Sequence, residues 1–404
     1  MIYTLPVLED IDNKVLEIIL GQQRILQNSM LGQPRRWLGS LRRSAMARAI
    51  RGSNSIEGYY ATMDQAVAAI ENEPPVEYTD TWLATKGYRD ALTYILQAAS
   101  DPTFEFSKQF LKSLHFMMIG HEMDKNPGKW RAGTVFVVNQ QTGQAVYEAP
   151  PPEIVNELVE ELVADLKMTD GGVWAPLQGA MAHLNLTMIH PFKDGNGRMA
   201  RSLQSLVIAR AGMTDPINCS IEEWLGENTQ EYYQVLAEVG QGKWSPGNSS
   251  LPWVRFCLKA HYQQAQRLIR RHQEYSVIYD RIHETVKVHG LHDRTEMPLF
   301  DACIGLRITN SRYRAENRVS EFVASRDLKK LSEIGLLDAV GDGRGRFYQA
   351  GKPLEEIRQQ TRSPRKVDDP YVLAAAGLRT KATSASENQL LLPLGDRPVA
   401  TDAS

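Results

Sequence analysis

The chain has 404 residues, 42% hydrophobic and 23% charged, with a formal net charge of −2 and a pI near 6.5. That is the balance of a soluble globular protein with chain enough for two or three domains, and it lacks the global positive field that gathers nucleic acid. Three scattered cysteines without CxxC spacing, no basic-then-apolar leader and no apolar run of bilayer length argue against a disulfide framework, structural zinc and a membrane span, and place the protein in the cytoplasm.

Apolar residues at helical spacing (Ile11, Val15, Ile18, Ile19, Ile25, Leu26) predict a first helix over Leu8–Met30. A second is expected over Trp37–Glu57, with Leu38, Leu41, Ala45, Ala49, Ser53 and Ile56 on one stripe and Gly58 as its stop. Further helices are expected near Thr79–Ala98, Ser107–Ile119, Pro152–Lys167, Ala175–Ile189, Arg198–Ala211 and Gln230–Val239, then a long one over Leu251–Val288. One hairpin interrupts them. Thr134–Val138 and Gln144–Tyr147 flank the turn Asn139–Gly143, and Pro150-Pro151-Pro152 leads into a helix whose first acid, Glu153, suits the dipole.

Past His289 the pattern changes: short helices over Thr295–Leu337, then "GDGRGRFYQAG", a Gly-rich turn and a strand at Arg346–Gln349. Helix, helix and strand-turn-strand outline a winged helix. From about Thr361 the chain is rich in Ala, Pro, Ser and Thr and reads as a loose tail. The fold class is therefore mainly α, divided into an N-terminal helical segment (1–36), a core (37–275), a winged-helix-like unit (276–360) and a tail (361–404), with no internal repeats.

The chemistry concentrates in "IHPFKDGNGRMAR", Ile189–Arg201. A loop at Asp194-Gly195-Asn196-Gly197 opens onto a helix with Arg198 and Arg201 in its first turn, where the dipole disfavours cations by roughly 0.3–1 kcal/mol each. A polyphosphate resolves the conflict. Amides of the glycine-flanked loop make an anion cradle, and two guanidinium forks three residues apart share one face above it. Asp194 at the lip suits Mg²⁺, and His190 is available to take a proton from a hydroxyl, so the stretch points to phosphoryl or nucleotidyl transfer. Phe192 reads as an apolar anchor for the loop. There is no GxxxxGK[ST], so a P-loop does not supply the nucleotide site.

His190-Pro191-Phe192-x-Asp194-Gly195-Asn196-Gly197-Arg198-x-x-Arg201 resembles the full signature of the Fic (filamentation-induced, Fic/DOC-type) family, HPFx(D/E)GNGRxxR, with every defined position present. The resemblance extends over roughly Leu38 to His261 and takes in the strand pair, which looks like the family's target-aligning flap. It implies a Fic-type helical core and a protein adenylyltransferase (AMPylation) acting on ATP with Mg²⁺. His190 would be the base towards a Ser, Thr or Tyr hydroxyl, and Asp194 the metal ligand. Gly195 to Gly197 would form the anion hole, with the Asn196 side chain near the α-phosphate. Arg198 and Arg201 would hold the outer phosphates, and attack at the α-phosphorus would release pyrophosphate. A kinase-like branch carries lysine where Gly197 stands, so glycine favours AMP transfer. Tyr232 and Asn228 are candidates for an adenine pocket or for ordinary packing.

A second oddity lies in "SNSIEG", Ser53–Gly58, where Glu57 is an acid in the last turn of its helix and Ser53 sits one turn before it. It resembles the family's inhibitory motif (S/T)xxxE(G/N), which implies that Glu57 pairs with Arg201 and blocks the γ-phosphate position. In the unit after the core, "VASRDLKKLSEIGLLDAVGDGRGRFY" resembles the winged-helix module that often follows Fic cores. Residues 301–350 hold nine Lys/Arg against seven Asp/Glu, a weak field for DNA even if Arg326, Lys329, Lys330, Arg344 and Arg346 cluster, so protein docking or a homodimer is favoured there. Two other readings stay open: a hydrolase that removes AMP with Glu57 placing a water, and a nucleotide-sensing DNA-binding regulator. The intact His190 speaks against the latter.

Overall fold

The structure, a computed structural model, describes residues 1–31, 36–73, 75, 77–138, 145–168, 175–212, 220–363 and 367–376. Cys219, the hairpin turn at 139–144, the Arg344 side chain and the end of the chain from 377 lie outside the described residues. Helices dominate, joined by two two-stranded antiparallel sheets.

At the centre lie α7 (Ala175–Ile189) and α8 (Asn196–Arg210). Helix α7 is buried on nearly every side, so its residues are mostly small or apolar rather than amphipathic, with His183 and Asn185 buried among them. Gly179 lets α8 approach: a Cβ there would press on Gln204 and Ile208 at 3.1–3.2 Å. Around this pair pack α4 (Asp80–Ser100), α5 (Lys108–Ile119) and α6 (Pro152–Lys167), burying Tyr88, Leu92, Leu114, Val159 and Leu162. Thr79 and Ser107 cap α4 and α5 by accepting from the Trp82 and Phe110 N–H groups.

The second helix, α2 (Leu38–Ile56), ends as expected at Gly58, whose φ of +86° suits glycine. Next to it α3 (Met63–Ile70), which the sequence reading passed over, carries a full Thr62–Gln65 capping box. The short α9 (Glu222–Glu227), also unforeseen, crosses α2 with no room for side chains. A Cβ on Gly52 would meet the Glu222 carbonyl, and one on Gly226 the Gly52 backbone. Helix α10 (Thr229–Gly240) follows, then α11 (Leu251–Val288), 38 residues and so about 57 Å at 1.5 Å per residue.

The expected boundary at 275/276 falls inside helix α11. Trp253 and Phe256 belong to the core, while Tyr275, Ile282 and Val286 belong to the C-terminal cluster. That cluster holds α12 (Glu296–Cys303), α13 (Asn310–Asn317), α14 (Glu321–Glu333), the hairpin of β3 (Leu337–Val340) and β4 (Phe347–Ala350), and α15 (Lys352–Thr361). An isolated antiparallel bridge from Ile308 to Tyr348 adds a third segment beside β4.

Helix α2 also reaches this cluster. Trp37 packs on His272 and Tyr275, and Arg43 bonds Glu71 at 2.6 Å, Glu316 at 2.9 Å and the buried Asp301 at 2.7 Å. The expected loose tail is corrected in its first part. Helix α16 (Pro370–Ala375) docks near α1 (Asp10–Leu31), with Ala374 buried and Tyr371 beside Arg255, which pairs with the buried Asp12 of α1 at 2.8 Å. Among the described residues no helix is long and apolar enough to cross a membrane.

Candidate functional site

The motif loop is built from the inside. Asn196 donates to the Phe192 carbonyl and accepts from the Phe192 N–H, both at 2.9 Å, so it staples the loop shut. These two bonds leave the second N–H of the Asn196 amide unused. Phe192 is fully buried and stacks on His115, with ring centroids 3.7 Å apart and planes within 4°. His115 accepts from the Gly128 N–H at 2.8 Å, which leaves its Nε2–H to donate to the Asp194 carbonyl at 2.9 Å. Burial lowers its pKa to about 4, so the ring stays neutral and the tautomer fixed.

Helix α8 begins at Asn196, two residues earlier than expected, which moves Arg201 into the second turn. Gly195 precedes it at φ +77°, closing the turn. The Gly195 N–H is already taken, donating to Asp194 Oδ1 at 2.6 Å. The amides left for an anion are those of Asn196, Gly197 and Arg198, whose N–H groups have no acceptor inside the helix.

Arg198 is 1% exposed, lies 5.3 Å over the Tyr59 ring and stands 4.0 Å from Glu122 Oε1; among the described residues its Nε and Nη1 have no hydrogen-bond partner. Arg201, also 1% exposed, donates from Nε to Ser53 Oγ at 2.7 Å and from Nη2 to the Ser53 carbonyl at 3.1 Å and Glu57 Oε1 at 2.6 Å. Burial works against its charge, but the Glu57 carboxylate more than offsets this and raises its pKa above the usual guanidinium value. Its Nη1 remains unpartnered among the described residues. Three buried donors without acceptors are costly, and an anion is the group that satisfies them.

Glu57 lies directly against the first turn of α8. A Cβ on Gly197 would collide with Glu57 Oε1.

His190 follows the last residue of α7 with φ +51°, rare for a residue with a side chain. Its Nδ1 faces the Thr187 carbonyl at 3.2 Å. A carbonyl only accepts, so Nδ1 carries the proton and Nε2 keeps its lone pair. Burial lowers the ring's pKa, which keeps it neutral. Arg131, unforeseen from the sequence, holds this backbone. Its Nε donates to the His190 carbonyl at 2.8 Å, its Nη1 to Gly133 at 2.8 Å and its Nη2 to Pro150, while its N–H meets the Pro191 carbonyl at 2.9 Å.

The same arginine thus ties the motif to the base of the flap, β1 (Phe136–Val138) paired with β2 (Ala145–Glu148). Tyr147 anchors the flap's inner face by donating to the Met188 carbonyl at 2.8 Å, while Phe136 and Val146 face outward.

Tyr232 is not at the site's surface. It is 2% exposed and heads a buried chain: its hydroxyl donates to His183 Nε2 (3.0 Å), His183 Nδ1 to Gln204 (2.7 Å), and Gln204 to His261 (3.2 Å). Asn228 bonds the Trp224 carbonyl at 2.7 Å and joins α9 to α10. Both therefore have packing roles, one of the two readings left open for them; the neighbouring Tyr233 reaches the end of α2, donating to the Ile56 carbonyl at 3.3 Å.

These rings set an acid response. Burial lowers His183 to about 3 and His115 and His261 to about 4, whereas an unfolded imidazole titrates near 6.5. The unfolded chain then binds more protons, so stability rises with pH and is lost as pH falls from about 6.5 towards 4. Glu222, raised to about 7 by burial against the pull of Tyr88 and Arg201, acts oppositely, as do Glu71, Asp165 and Asp301, which burial also raises. The unfolding temperature is expected to drop across that window, and a flat profile from pH 7 to 4 would refute the neutral-ring assignment.

Asp194 fits a divalent cation in one specific way. One oxygen is held by the Gly195 N–H, its side chain is 40% exposed, and Lys125 Nζ stands 3.6 Å from the other oxygen. Among the described residues no three acidic, His or Cys side chains gather into a protein-only cage. A single carboxylate beside a phosphate cradle is the donor set that Mg²⁺ takes together with substrate phosphates.

The Fic/DOC family model matches residues 105–208, from the start of α5 to the end of α8. Curated relatives include a protein adenylyltransferase Fic of Nematostella vectensis, 25% identical over 252 residues (60% of this chain, 53% of the relative). Another is protein adenylyltransferase fic-1 of Caenorhabditis briggsae, 29% identical over 166 residues (41% and 29%). The chain thus spans about half or less of the length of these relatives. A Fic family protein from Desulfovibrio desulfuricans G20 shares the fold with a TM-score of 0.54 at 19% identity, covering 87% of this chain and 99% of that one. Fic-1 (aa134–508) from C. elegans does so with 0.51 at 23%, covering 64% and 72%.

Proposed function

We propose that this chain, a Fic/DOC-family protein, transfers AMP from ATP to a Ser, Thr or Tyr hydroxyl of a protein, and that Glu57 restrains the transfer. The observation that carries the reading is the set of buried guanidinium donors, Arg198 Nε and Nη1 and Arg201 Nη1, left without partners beside the first-turn amides of α8. In this reading those groups hold the phosphates of ATP. His190 Nε2 takes the proton as the hydroxyl oxygen attacks the α-phosphorus; the bond to the β-phosphate oxygen breaks, and pyrophosphate leaves. Asp194 would hold Mg²⁺, which supplies charge neutralisation at the phosphates. The flap presents its outer face, with Phe136 and Val146, to the target segment.

The test is incubation with α-labelled ATP and Mg²⁺, followed by mass spectrometry for an added AMP on the chain itself or on proteins supplied with it. A folded Glu57→Gly chain that acquires no label would overturn the reading. Release of AMP from a preformed modified target is the alternative, favoured by Glu57 lying against Gly197 where it can orient a water; loss of label from such a target would reveal it.

Arg131 is a positioning residue for His190. Arg131→Ala is expected to lower kcat roughly 10- to 100-fold with little change in KM for ATP, because a misplacement near 1 Å costs on that order. Equal losses in kcat and ATP affinity would contradict this. We further read the C-terminal unit as a winged-helix-like module for docking protein, a homodimer included, rather than DNA. Arg326 pairs with Asp327 at 3.6 Å, Lys329 with Glu333 at 3.7 Å and Arg346 with Asp342 at 3.5 Å, so three of its five candidate phosphate contacts already face a carboxylate.

A further inference from the structure

A cavity of about 440 Å³ opens where α2, α9 and α11 meet the end of α15. Six arginines line it: Arg48 from α2, Arg267, Arg270 and Arg271 from α11, and Arg358 and Arg362 from α15 and its end. Three carboxylates, Glu223, Glu227 and Glu274, line it as well, so its wall has an excess of cations. Those carboxylates are already engaged. Glu223 takes Arg271 Nη1 at 2.8 Å and stands 3.7 Å from Arg48; Glu227 pairs with Arg267 at 2.6 Å; Glu274 accepts the Ser363 N–H at 2.8 Å.

We propose that this cavity is a second anion site, separate from the motif loop, which binds a small organic phosphate. Arg48 and Arg271 share one carboxylate, and Arg48 Nε is shielded from water with no hydrogen-bond partner among the described residues. Burial and the neighbouring Arg271 charge lower the Arg48 pKa, the mark of a cation set beside a cation with too little counter-charge. Guanidinium forks match phosphate oxygens in pairs. Tyr275, Ile278 and Ile304 give the same cavity an apolar wall, which selects a phosphate carried on an aromatic or aliphatic body over the bare ion. Arg48 lies nine residues before Glu57 on α2, so the ligand would touch the helix whose end bonds Arg201. The binding itself does not depend on the AMP-transfer reading.

Calorimetric titration of the full chain carrying Arg198→Ala, which weakens the motif site, tests this with phenyl phosphate, methyl phosphate and inorganic phosphate. One saturable site is expected, with phenyl phosphate the tightest ligand. Adding Arg48→Met and Arg362→Ala should weaken it tenfold or more. Should Arg48→Met lower the unfolding temperature sharply, Arg267→Gln with the exposed Arg362→Ala replaces it, with the same expected loss. No saturable site, or unchanged affinity in a folded cavity variant, overturns the proposal.

Discussion

Replacing Glu57 by glycine is expected to raise AMP incorporation roughly 10- to 100-fold, the range of ordinary coupling energies between competing occupants of one site. Arg201 spends Nη2 on Glu57 and Nε on Ser53, leaving one donor for a substrate. Removing the carboxylate frees Nη2 and clears the space against Gly197. The same change strips a partner from a buried guanidinium, which costs about 3–5 kcal/mol in a fully buried pair and less here, because Glu57 is 23% exposed. Activity should therefore rise while the unfolding temperature falls. Labelled-ATP incorporation and thermal unfolding, measured on one preparation, separate a restraint from a supporting contact. A fall in both would show that Glu57 props the site open.

His190→Ala should abolish transfer, by roughly 10²–10⁴-fold as expected for loss of a general base, with ATP still bound. The Thr187 carbonyl fixes the proton on Nδ1 and leaves Nε2 to act. Because burial lowers the pKa, the ring remains a base below the ordinary histidine value, and the acidic limb of the rate profile should fall below pH 6.5. Rates are measured in the Glu57→Gly chain, where the signal is largest. An acidic limb centred above 6.5, or a His190→Ala chain that keeps a tenth of the rate, would reject His190 as the base.

The legible parts of the chain are those set by local chemistry. The bounds of α6, α7 and α11 match the expected Pro152–Lys167, Ala175–Ile189 and Leu251–Val288, since proline, apolar period and glycine mark their ends. The pairing of Glu57 with Arg201 was legible for another reason: an acid at the C-terminal end of α2 is out of place, and the family resemblance names the partner. What escaped was fixed only by tertiary contact. Arg131 and His115 hold the loop through backbone carbonyls distant in sequence, which no spacing announces. Tyr232 stayed undecided between pocket and packing because a tyrosine on an amphipathic helix does not disclose that a buried histidine takes its hydroxyl. Helix α9 has six residues, too few for a period to show, and is held by its glycine crossing with α2.

The crowding at Gly197 restricts how this sequence can evolve. Any side chain at that position acts as a wedge, and the yielding partner is the flexible Glu57 carboxylate rather than backbone. On the proposed reading, a larger residue there would disturb the Glu57–Arg201 pair in the same step that reshaped the loop, so that changes in substrate and changes in control are linked in heredity at a single codon.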